Sequence, residues 1–231
     1  MLSAHPTGPG NKWPAQNVEH ATREDIAAIV EIHQAAFRSS FLTQLGAGFL
    51  RVYYQLIQKF NGGILLVSRG ASSAEGFVAG FIRPRDFYRL MLRNGWRFFV
   101  PALVALAWHP SLAGRVLYNL RRLVRTTPWS STSVCELSSV AVRPTAMGRG
   151  IGKGLVRDFL ENARSMGADH VYLTTDAENN ENTNAFYSSL GFRLCRTFRQ
   201  HGRRLMNEYV MSPLFTPGGG QRVAVQHPGG Q

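Results

Sequence analysis

Glycines alternate with other residues in the run Gly148-Arg149-Gly150-Ile151-Gly152, which Lys153 follows. The alternation of residues 133–142 before the run predicts a strand, and the helical spacing of apolar residues over 150–166 after it predicts a helix. A glycine turn between a strand and a helix gathers backbone N–H groups and the positive end of the helix dipole at one point. The run therefore predicts an anion-binding turn within an α/β fold.

Two familiar phosphate-binding loops do not match this run. A nucleotide-triphosphate loop needs four residues between its first glycine and Gly-Lys, followed by Ser or Thr, whereas three residues separate Gly148 from Gly152-Lys153 and Gly154 comes next. A dinucleotide-binding fingerprint needs a different glycine spacing within a parallel doubly wound sheet. A glycine turn that binds no ligand is the remaining alternative from this motif alone.

A second motif lies downstream of the glycine run. It has the pattern Asn180-x-x-Thr183-Asn184-x-Phe186-Tyr187-x-x-x-Gly191-Phe192, and the glycine run is itself preceded by Val142-x-Pro144 and Met147. Together the two motifs resemble those of the GNAT acetyltransferases, in the same order and at a typical separation. One departure lies inside the first motif, because Met147 stands where the family usually has Gln or Arg.

The order of predicted elements agrees with this resemblance over about 18–211. Predicted strands cover 18–22, 64–68, 76–82, 133–142, 170–175, 192–200 and 203–211, and predicted helices cover 26–37, 41–60, 150–166 and 182–190. The resemblance implies an α/β (α+β) fold with a mixed, mostly antiparallel twisted sheet flanked by helices. The coenzyme would lie in a split in that sheet.

The resemblance also implies how acetyl-CoA is bound as co-substrate. The backbone of Val140, Ala141 and Val142 would pair with the pantetheine arm, and the N–H groups of Gly148, Arg149, Gly150, Ile151, Gly152 and Lys153 would hold the pyrophosphate. Asn180 would contact the coenzyme from the next loop. Because the cradle is mainly backbone, we expect binding to survive the departure at Met147.

Attack of an amine on a thioester needs a proton acceptor, an oxyanion donor and an acid for the departing thiolate. Tyr187 matches the family's general acid, and its alternative role is that of a core tyrosine. The oxyanion donor would be a backbone N–H near Val140. Glu136, on the strand that carries the acetyl group, is the first candidate base and Asp176 the second, with an ordered water or an ion-paired role for Glu136 as alternatives.

Composition sets the domain organisation. A chain of 231 residues with 44% hydrophobic content is long enough for one acetyltransferase domain with an insertion, which we place at 17–215. The Gly-, Pro- and Gln-rich ends, 1–16 and 216–231, are predicted to be disordered tails. Residues 83–130 are predicted to form a helical insertion between the third and fourth strands.

The insertion is the most basic part of the chain. Nine arginines and a single acid, Asp86, lie between Arg83 and Arg125, within a chain of net charge +12. With Tyr88, Trp96, Trp108 and Tyr118, these arginines would suit a small phosphorylated amine such as an amino-sugar nucleotide. A solvated basic cap, a peptide or protein amine acceptor, and contact with an anionic membrane are the alternatives. A non-enzymatic CoA- or phosphate-binding module also stays open, and a homodimer is permitted.

Other classes of partner and site are disfavoured. No nucleic-acid reader motif accompanies the charge, and no pair of histidines or cysteines has the spacing of a metal site. His33, on the apolar side of the first predicted helix, is expected to be a packed core residue, with a place in the acceptor pocket as the alternative. Two cysteines, Cys135 and Cys195, and the lack of a signal or spanning segment favour the cytoplasm, with the inner membrane face as the alternative.

Overall fold

The computed structural model describes residues 17–38, 40–71, 73–98, 100, 133–200 and 204–212. The two predicted tails and residues 101–130 of the predicted insertion, with Trp108 and Tyr118, lie outside these ranges. In chain order the elements are β1 Val18–His20, α1 Asp25–Ala36, α2 Phe41–Gln44, α3 Gly46–Lys59, β2 Gly63–Arg69, β3 Ala74–Ile82, α4 Pro84–Arg93, β4 Val134–Val142, α5 Ile151–Ser165, β5 His170–Asp176, α6 Glu181–Ser189, β6 Arg193–Gln200 and β7 Arg204–Met211.

The strands form one sheet in the order β1-β2-β3-β4-β5-β7-β6. Every neighbouring pair is antiparallel except β4 and β5, which are parallel. This confirms the predicted mixed, mostly antiparallel sheet flanked by helices. A parallel pair needs a long crossover, and α5 provides it between β4 and β5.

Two details of the first helices differ from the sequence-based prediction. The predicted helix over 41–60 is divided at Leu45, because Gly46 has a φ of +86° and the chain changes direction there. Ser40 begins the shorter piece by accepting the Thr43 N–H at 3.1 Å. The first helix, predicted over 26–37, begins and ends one residue earlier, and at its start the Asp25 carboxylate accepts the Thr22 N–H at 2.7 Å.

Helices cover both faces of the sheet and create two apolar cores. On one face α1, α3 and α4 pack against β2 and β3, and Phe81 and Phe87 stack with ring centroids 3.9 Å apart. On the other face α5 packs through Leu155 and Phe159 on β2, β3 and β4, and α6 adds Tyr187 to the same core. We call the first face, where the resemblance would place the acceptor pocket, the acceptor face, and the second the α5 face.

A β-bulge in β4 exchanges the faces of its side chains. Ala79 of β3 is opposite Ser139 while Gly80 is opposite Leu137, so Ser138 is an extra residue in β4. Before the bulge Glu136 lies on the acceptor face, and after it Ala141 lies there. Gly80 permits the close approach, since a Cβ at that position would be 2.1 Å from the Glu136 carbonyl oxygen.

Candidate active site

The sheet opens between β4 and β5. Their parallel pairing contains only three residue pairs and ends at Glu136 and Tyr172. Beyond that point β4 pairs only with β3, and β5 only with β7. The backbone edge of Val140, Ala141 and Val142 therefore lines a gap in which another extended chain has room to add hydrogen bonds.

The predicted glycine turn lies at the beginning of α5, on the continuation of β4. Gly148 and Gly150 have φ of +78° and +79°, and Gly150 is the residue from which α5 begins. No side chain caps this end of the helix, and the first backbone bond of the helix is donated by Gly154 to Gly150 at 3.1 Å. The N–H groups of Ile151, Gly152 and Lys153 therefore point out of the helix end, as an anion-binding turn requires.

Side chains around this turn leave its centre to the backbone. Arg149 turns away to form an ion pair with Glu75 of β3 at 2.8 Å, and Met147 is 60% exposed. Gly148 has no atom within 4 Å of a hypothetical Cβ, so its positive φ, and not lack of space, is what requires glycine there. The departure at Met147 thus replaces an exposed side chain and leaves the backbone geometry of the turn unchanged.

Tyr187 is buried on the α5 face at the side of α6. Its ring packs edge-on against Phe186 and Phe192, at centroid distances of 5.2 and 5.8 Å. Within the described residues its hydroxyl makes no hydrogen bond, although the residue is only 7% exposed. Burial raises the pKa of Tyr187, so the phenol holds its proton at neutral pH.

Asn180 ties the loop after β5 to the end of that strand. Its Nδ2 donates to the Thr175 hydroxyl at 2.8 Å and to the Asp176 carbonyl at 3.1 Å. Asn184, one helical turn later, donates to the same carbonyl and to the Asn180 carbonyl. The two asparagines of the second motif thus fix the position of α6, and hence of Tyr187, relative to β5.

Glu136 is held by two tyrosine hydroxyls on the acceptor face. Tyr88 of α4 donates to Oε1 at 2.8 Å, and Tyr172 of β5 donates to Oε2 at 2.5 Å. The carboxylate is half-buried at the last residue pair before the two strands separate. Burial, and next the negative charge of Glu136, raises the pKa of Tyr88 and of Tyr172, so both remain proton donors.

Two further tyrosines reach the bulge from α3. The Tyr53 hydroxyl is 2.7 Å from the Ser138 hydroxyl, and the Tyr54 hydroxyl is 2.6 Å from Nδ1 of His33. His33 is 2% exposed, its Nε2 has no partner in the described part of the chain, and burial lowers its pKa to about 4. His33 is therefore the packed core histidine that the sequence predicts. The bulge beside Val140 is supported by hydroxyl groups.

Asp176, the second predicted base, has a different environment. Arg204 of β7 binds both of its carboxylate oxygens through two guanidinium nitrogens. A bidentate guanidinium pairs the Asp176 carboxylate with an opposite charge, whereas Tyr88 and Tyr172 bind Glu136 through neutral hydroxyls. The two predicted bases therefore differ in the chemistry of these partners.

The described part of the insertion contributes a tyrosine to this site and directs its arginines elsewhere. Phe87 is buried in the first core and Tyr88 contacts Glu136, whereas Arg85, Arg89 and Arg93 are exposed. The predicted basic character of the segment is thus on the outside of α4. Beside it Leu92, Trp96 and Val100 are 38%, 75% and 66% exposed.

Sequence reasoning missed the partners of Glu136. Tyr88 was noted only among the aromatic residues of the insertion, and Tyr172 was not singled out. In β5 apolar residues alternate with Tyr172, Thr174 and Asp176, and this alternation could have placed Tyr172 on the face opposite the core. The register that brings it beside Glu136 depends on α5 and is not encoded in a local pattern.

The described residues offer neither a metal-binding cluster nor a membrane-spanning helix. They hold no group of three or more His, Cys, Asp or Glu placed to bind a metal ion. Among the same residues, no helix combines the length and apolar character that crossing a membrane requires. Of the two free cysteines, Cys135 is buried and Cys195 is exposed.

Comparison of sequences gives one match. Residues 27–192 match the model of the acetyltransferase (GNAT) family. Among curated proteins, none matches the chain.

Comparison of structures gives matches along nearly the whole length of known acetyltransferases. An acetyltransferase of the GNAT family from Desulfovibrio desulfuricans is 12% identical, with 86% of this chain and 99% of that chain covered and a TM-score of 0.58. An acetyltransferase from Salmonella typhimurium, solved with its cofactor acetyl-CoA, is 17% identical, with coverage of 86% and 94% and a TM-score of 0.55. The ribosomal-protein-alanine N-acetyltransferase from Brucella melitensis is 19% identical, with coverage of 84% and 98% and a TM-score of 0.56. At these identities the matches show a shared fold.

Proposed function

Because this chain belongs to the acetyltransferase (GNAT) family, it is an acetyltransferase that takes its acetyl group from acetyl-CoA, and we propose that Tyr187 and Glu136 carry the transfer to a primary amine. The observation that carries the proposal is the placement of Glu136. A half-buried carboxylate, held by Tyr88 and Tyr172, stands where β4 and β5 separate. A base there borders the gap in which the thioester would lie.

Backbone groups would hold the coenzyme at two places, along its pantetheine arm and at its pyrophosphate. The edge of Val140, Ala141 and Val142 that lines the gap supplies unpaired amide groups for the pantetheine arm. The N–H groups of the turn from Gly148 to Lys153 suit the pyrophosphate, because positive φ at Gly148 and Gly150 turns them toward one point. Asn180 anchors the adjacent loop and has its side-chain oxygen available for the coenzyme.

The chemical step is a direct transfer with no covalent enzyme intermediate. Glu136 takes a proton from the amine as the nitrogen forms a bond with the thioester carbon. A backbone N–H near Val140, supported by the bulge, donates to the developing oxyanion. As the carbon–sulfur bond breaks, Tyr187 gives its phenolic proton to the leaving thiolate, and solvent later returns that proton.

For the acceptor we propose a small-molecule primary amine, with an amino-sugar nucleotide as its test case and a peptide or protein amine as the alternative. The exposed arginines of α4 would hold the phosphates of such a nucleotide only outside the immediate surroundings of Glu136. An acceptor fits this arrangement if its amine reaches Glu136 while its phosphates lie at the exposed arginines of α4. A peptide that offers an alanine amine belongs in the same test because the Brucella melitensis neighbour is named a ribosomal-protein-alanine N-acetyltransferase.

The test has a binding part and a turnover part. Calorimetry measures acetyl-CoA binding, and thiol release measures turnover across a panel of amines that includes amino-sugar nucleotides and peptides. Amine-stimulated release by the wild type, reduced by about 100-fold or more in Tyr187→Phe with unchanged acetyl-CoA affinity, supports the proposal. Binding without release for any amine would favour a non-catalytic CoA-binding module, and an unaltered rate in Tyr187→Phe would remove that residue from the mechanism.

The exposed side of the insertion supports a second, compatible proposal, peripheral contact with an anionic membrane surface. Leu92, Trp96 and Val100 are three of the six exposed large hydrophobic residues in the described chain, and exposed Arg89 and Arg93 lie beside them. Co-sedimentation with vesicles rich in anionic lipid, but not with neutral ones, is expected for the wild type and lost in Trp96→Ser. Met166→Ser, at a residue 44% exposed elsewhere on the surface, is the control. Equal sedimentation of the two variants would contradict the contact.

A further inference from the structure

Glu136 accepts hydrogen bonds from residues of two different elements, and both residues lie outside the two sequence motifs. Tyr88 belongs to α4, in the segment that joins β3 to β4, and Tyr172 belongs to β5, on the far side of the gap. Each donates to a different carboxylate oxygen, at 2.8 Å and 2.5 Å. The carboxylate is therefore fixed in direction by a clamp that spans the point where β4 and β5 separate.

Packing fixes the two donors in turn. The Tyr88 ring lies edge-on to Phe81 and within 5.7 Å of Phe87, so it is seated on the first core. Tyr172 is 5% exposed within the sheet. Since the Tyr88 ring is held by aromatic contacts and the Tyr172 ring is buried, their hydroxyls keep one orientation without support from the acceptor.

Several other charged and titratable groups lie around the clamp. Tyr53 of α3 lies close enough to interact electrostatically with Glu136, and Cys135 neighbours it on the α5 face. Across Tyr172, Glu208 of β7 is buried and forms an ion pair with Arg196 of β6 at 2.9 Å. The hydroxyls of Tyr88 and Tyr172 that donate to Glu136 belong to neutral phenols, which stabilise its anion without cancelling its charge.

We propose that Tyr88 and Tyr172 are positioning residues that keep Glu136 ionised and aimed at the acceptor nitrogen. This inference rests on the proposed role of Glu136 as the base. It makes α4 a part of the acetylation site, because the segment between β3 and β4 supplies half of the clamp. An acceptor then meets an anion that accepts one proton from its nitrogen, and the tyrosines remain protonated throughout.

Titration of the Glu136 carboxyl tests the clamp directly. In protein labelled with ¹³C at the glutamate carboxyls, the Glu136 signal is identified by its loss in Glu136→Gln. Tyr88→Phe keeps the ring packing and removes one donor to the anion, so the carboxyl should protonate at a pH about one unit higher. Tyr172→Phe should shift it in the same direction, and the double variant should shift it further.

The matched control is Tyr54→Phe. It removes another buried hydroxyl, whose partners are His33 and Ser139 and not Glu136, and should leave the Glu136 titration in place. An unchanged midpoint in Tyr88→Phe, with a wild-type near-ultraviolet spectrum, would overturn the clamp. If Tyr88→Phe does not fold, Tyr172→Phe in the same titration decides.

Turnover adds a second readout that separates this inference from the proposed function. The acid limb of the kcat/KM profile should move to higher pH in Tyr88→Phe by the same amount as the carboxyl midpoint, because removing a donor makes the base protonate sooner as pH falls. A wild type that acetylates no amine while its titration responds as described would refute the proposed function alone. An active wild type whose acid limb does not move in Tyr88→Phe would refute the positioning role alone.

Discussion

At the gap between β4 and β5, the two faces of the sheet differ in whether their polar groups have side-chain partners. On the α5 face, the glycine turn presents backbone N–H groups that no side chain caps, and the Tyr187 hydroxyl has no partner in the described structure. On the acceptor face, the hydroxyls of Tyr53, Tyr54 and Tyr88 all have side-chain partners in the protein. Polar groups without side-chain partners thus border the gap on the α5 face, whereas the tyrosine hydroxyls of the acceptor face are paired within the protein.

This difference predicts how each side of the site responds to substitution. The proposed coenzyme site is made of backbone, and the side chains of Met147 and Arg149 point away from it, so we expect it to tolerate changes of side chain. The acceptor side depends on hydroxyl contacts between distant elements, including one from α4. On the coenzyme side we therefore expect mutations to act by changing backbone φ angles. On the acceptor side we expect them to act by removing single oxygen atoms that make hydrogen bonds.

The largest effect should come from the proposed base on the acceptor side. Glu136→Gln keeps the shape of the side chain but removes proton acceptance, so kcat should fall by about 100-fold or more. Asp176→Asn removes only a partly exposed pair with Arg204, worth about 1 kcal/mol or less, and kcat should stay within a few-fold of the wild type. Steady-state thiol release compares the two, and the reverse ranking would move the base to β5.

A large effect on stability should come from buried His33. Its folded-state pKa of about 4 lies below the 6.5 of an unfolded histidine, so protonation favours the unfolded chain as pH falls from 6.5 toward 4. At pH 5 this costs about 2 kcal/mol of the free energy of unfolding relative to pH 7. Urea titrations of the wild type and His33→Gln should differ by this pH-dependent part, with exposed His20→Gln as control. Parallel pH dependence in all three proteins would show that the acceptor face is not closed around a neutral histidine.

An intermediate effect is expected from the coenzyme side. Gly148→Ala places a side chain at a φ of +78°, which costs about 1–2 kcal/mol. Relief of that strain turns the N–H groups of the loop away, and the Kd for acetyl-CoA should rise about tenfold. Gly167→Ala imposes the same strain at a φ of +87° after α5, also with free space around its Cβ. Calorimetry should find normal affinity in that control, and equal losses in both variants would attribute the effect to strain alone.

The smallest effect tests whether the coenzyme side is made of backbone. Met147→Ala should leave the Kd for acetyl-CoA unchanged, because the side chain is exposed and only its backbone is proposed to contribute. Met147→Arg adds a cation near the pyrophosphate and should tighten binding by a few-fold, about 0.5–1 kcal/mol. A large loss in Met147→Ala, measured by the same calorimetry, would mean that side chains matter there.

The sequence predicts the coenzyme side better than the acceptor side for a physical reason. Glycines at positive φ, the cap of α5 and the strand before it are local properties, and they leave a pattern within ten residues. The Glu136 clamp joins residues 88, 136 and 172, and its register is set by a bulge and a crossover helix. Strand alternation could have shown which face Tyr172 occupies, but not which residue it meets.

The same contrast explains the two base candidates. Glu136 and Asp176 each stand at a strand position that the family resemblance allows. What distinguishes them is a partner, phenols for one and the Arg204 guanidinium for the other, and neither partner is adjacent in sequence. The division of the second helix at Gly46 had likewise no signal beyond the glycine itself.

Ser138 makes β4 a strand whose length matters more than its composition. Its presence lets Glu136 and Ala141, five positions apart, occupy one face of the sheet, while Leu137 and Val140 occupy the other. Removing one residue there would rotate half of the strand, sending either the base into the α5 core or the coenzyme-binding edge out of register. Away from Glu136, substitutions along β4 should therefore be tolerated better than the loss or gain of a single residue, which should abolish activity.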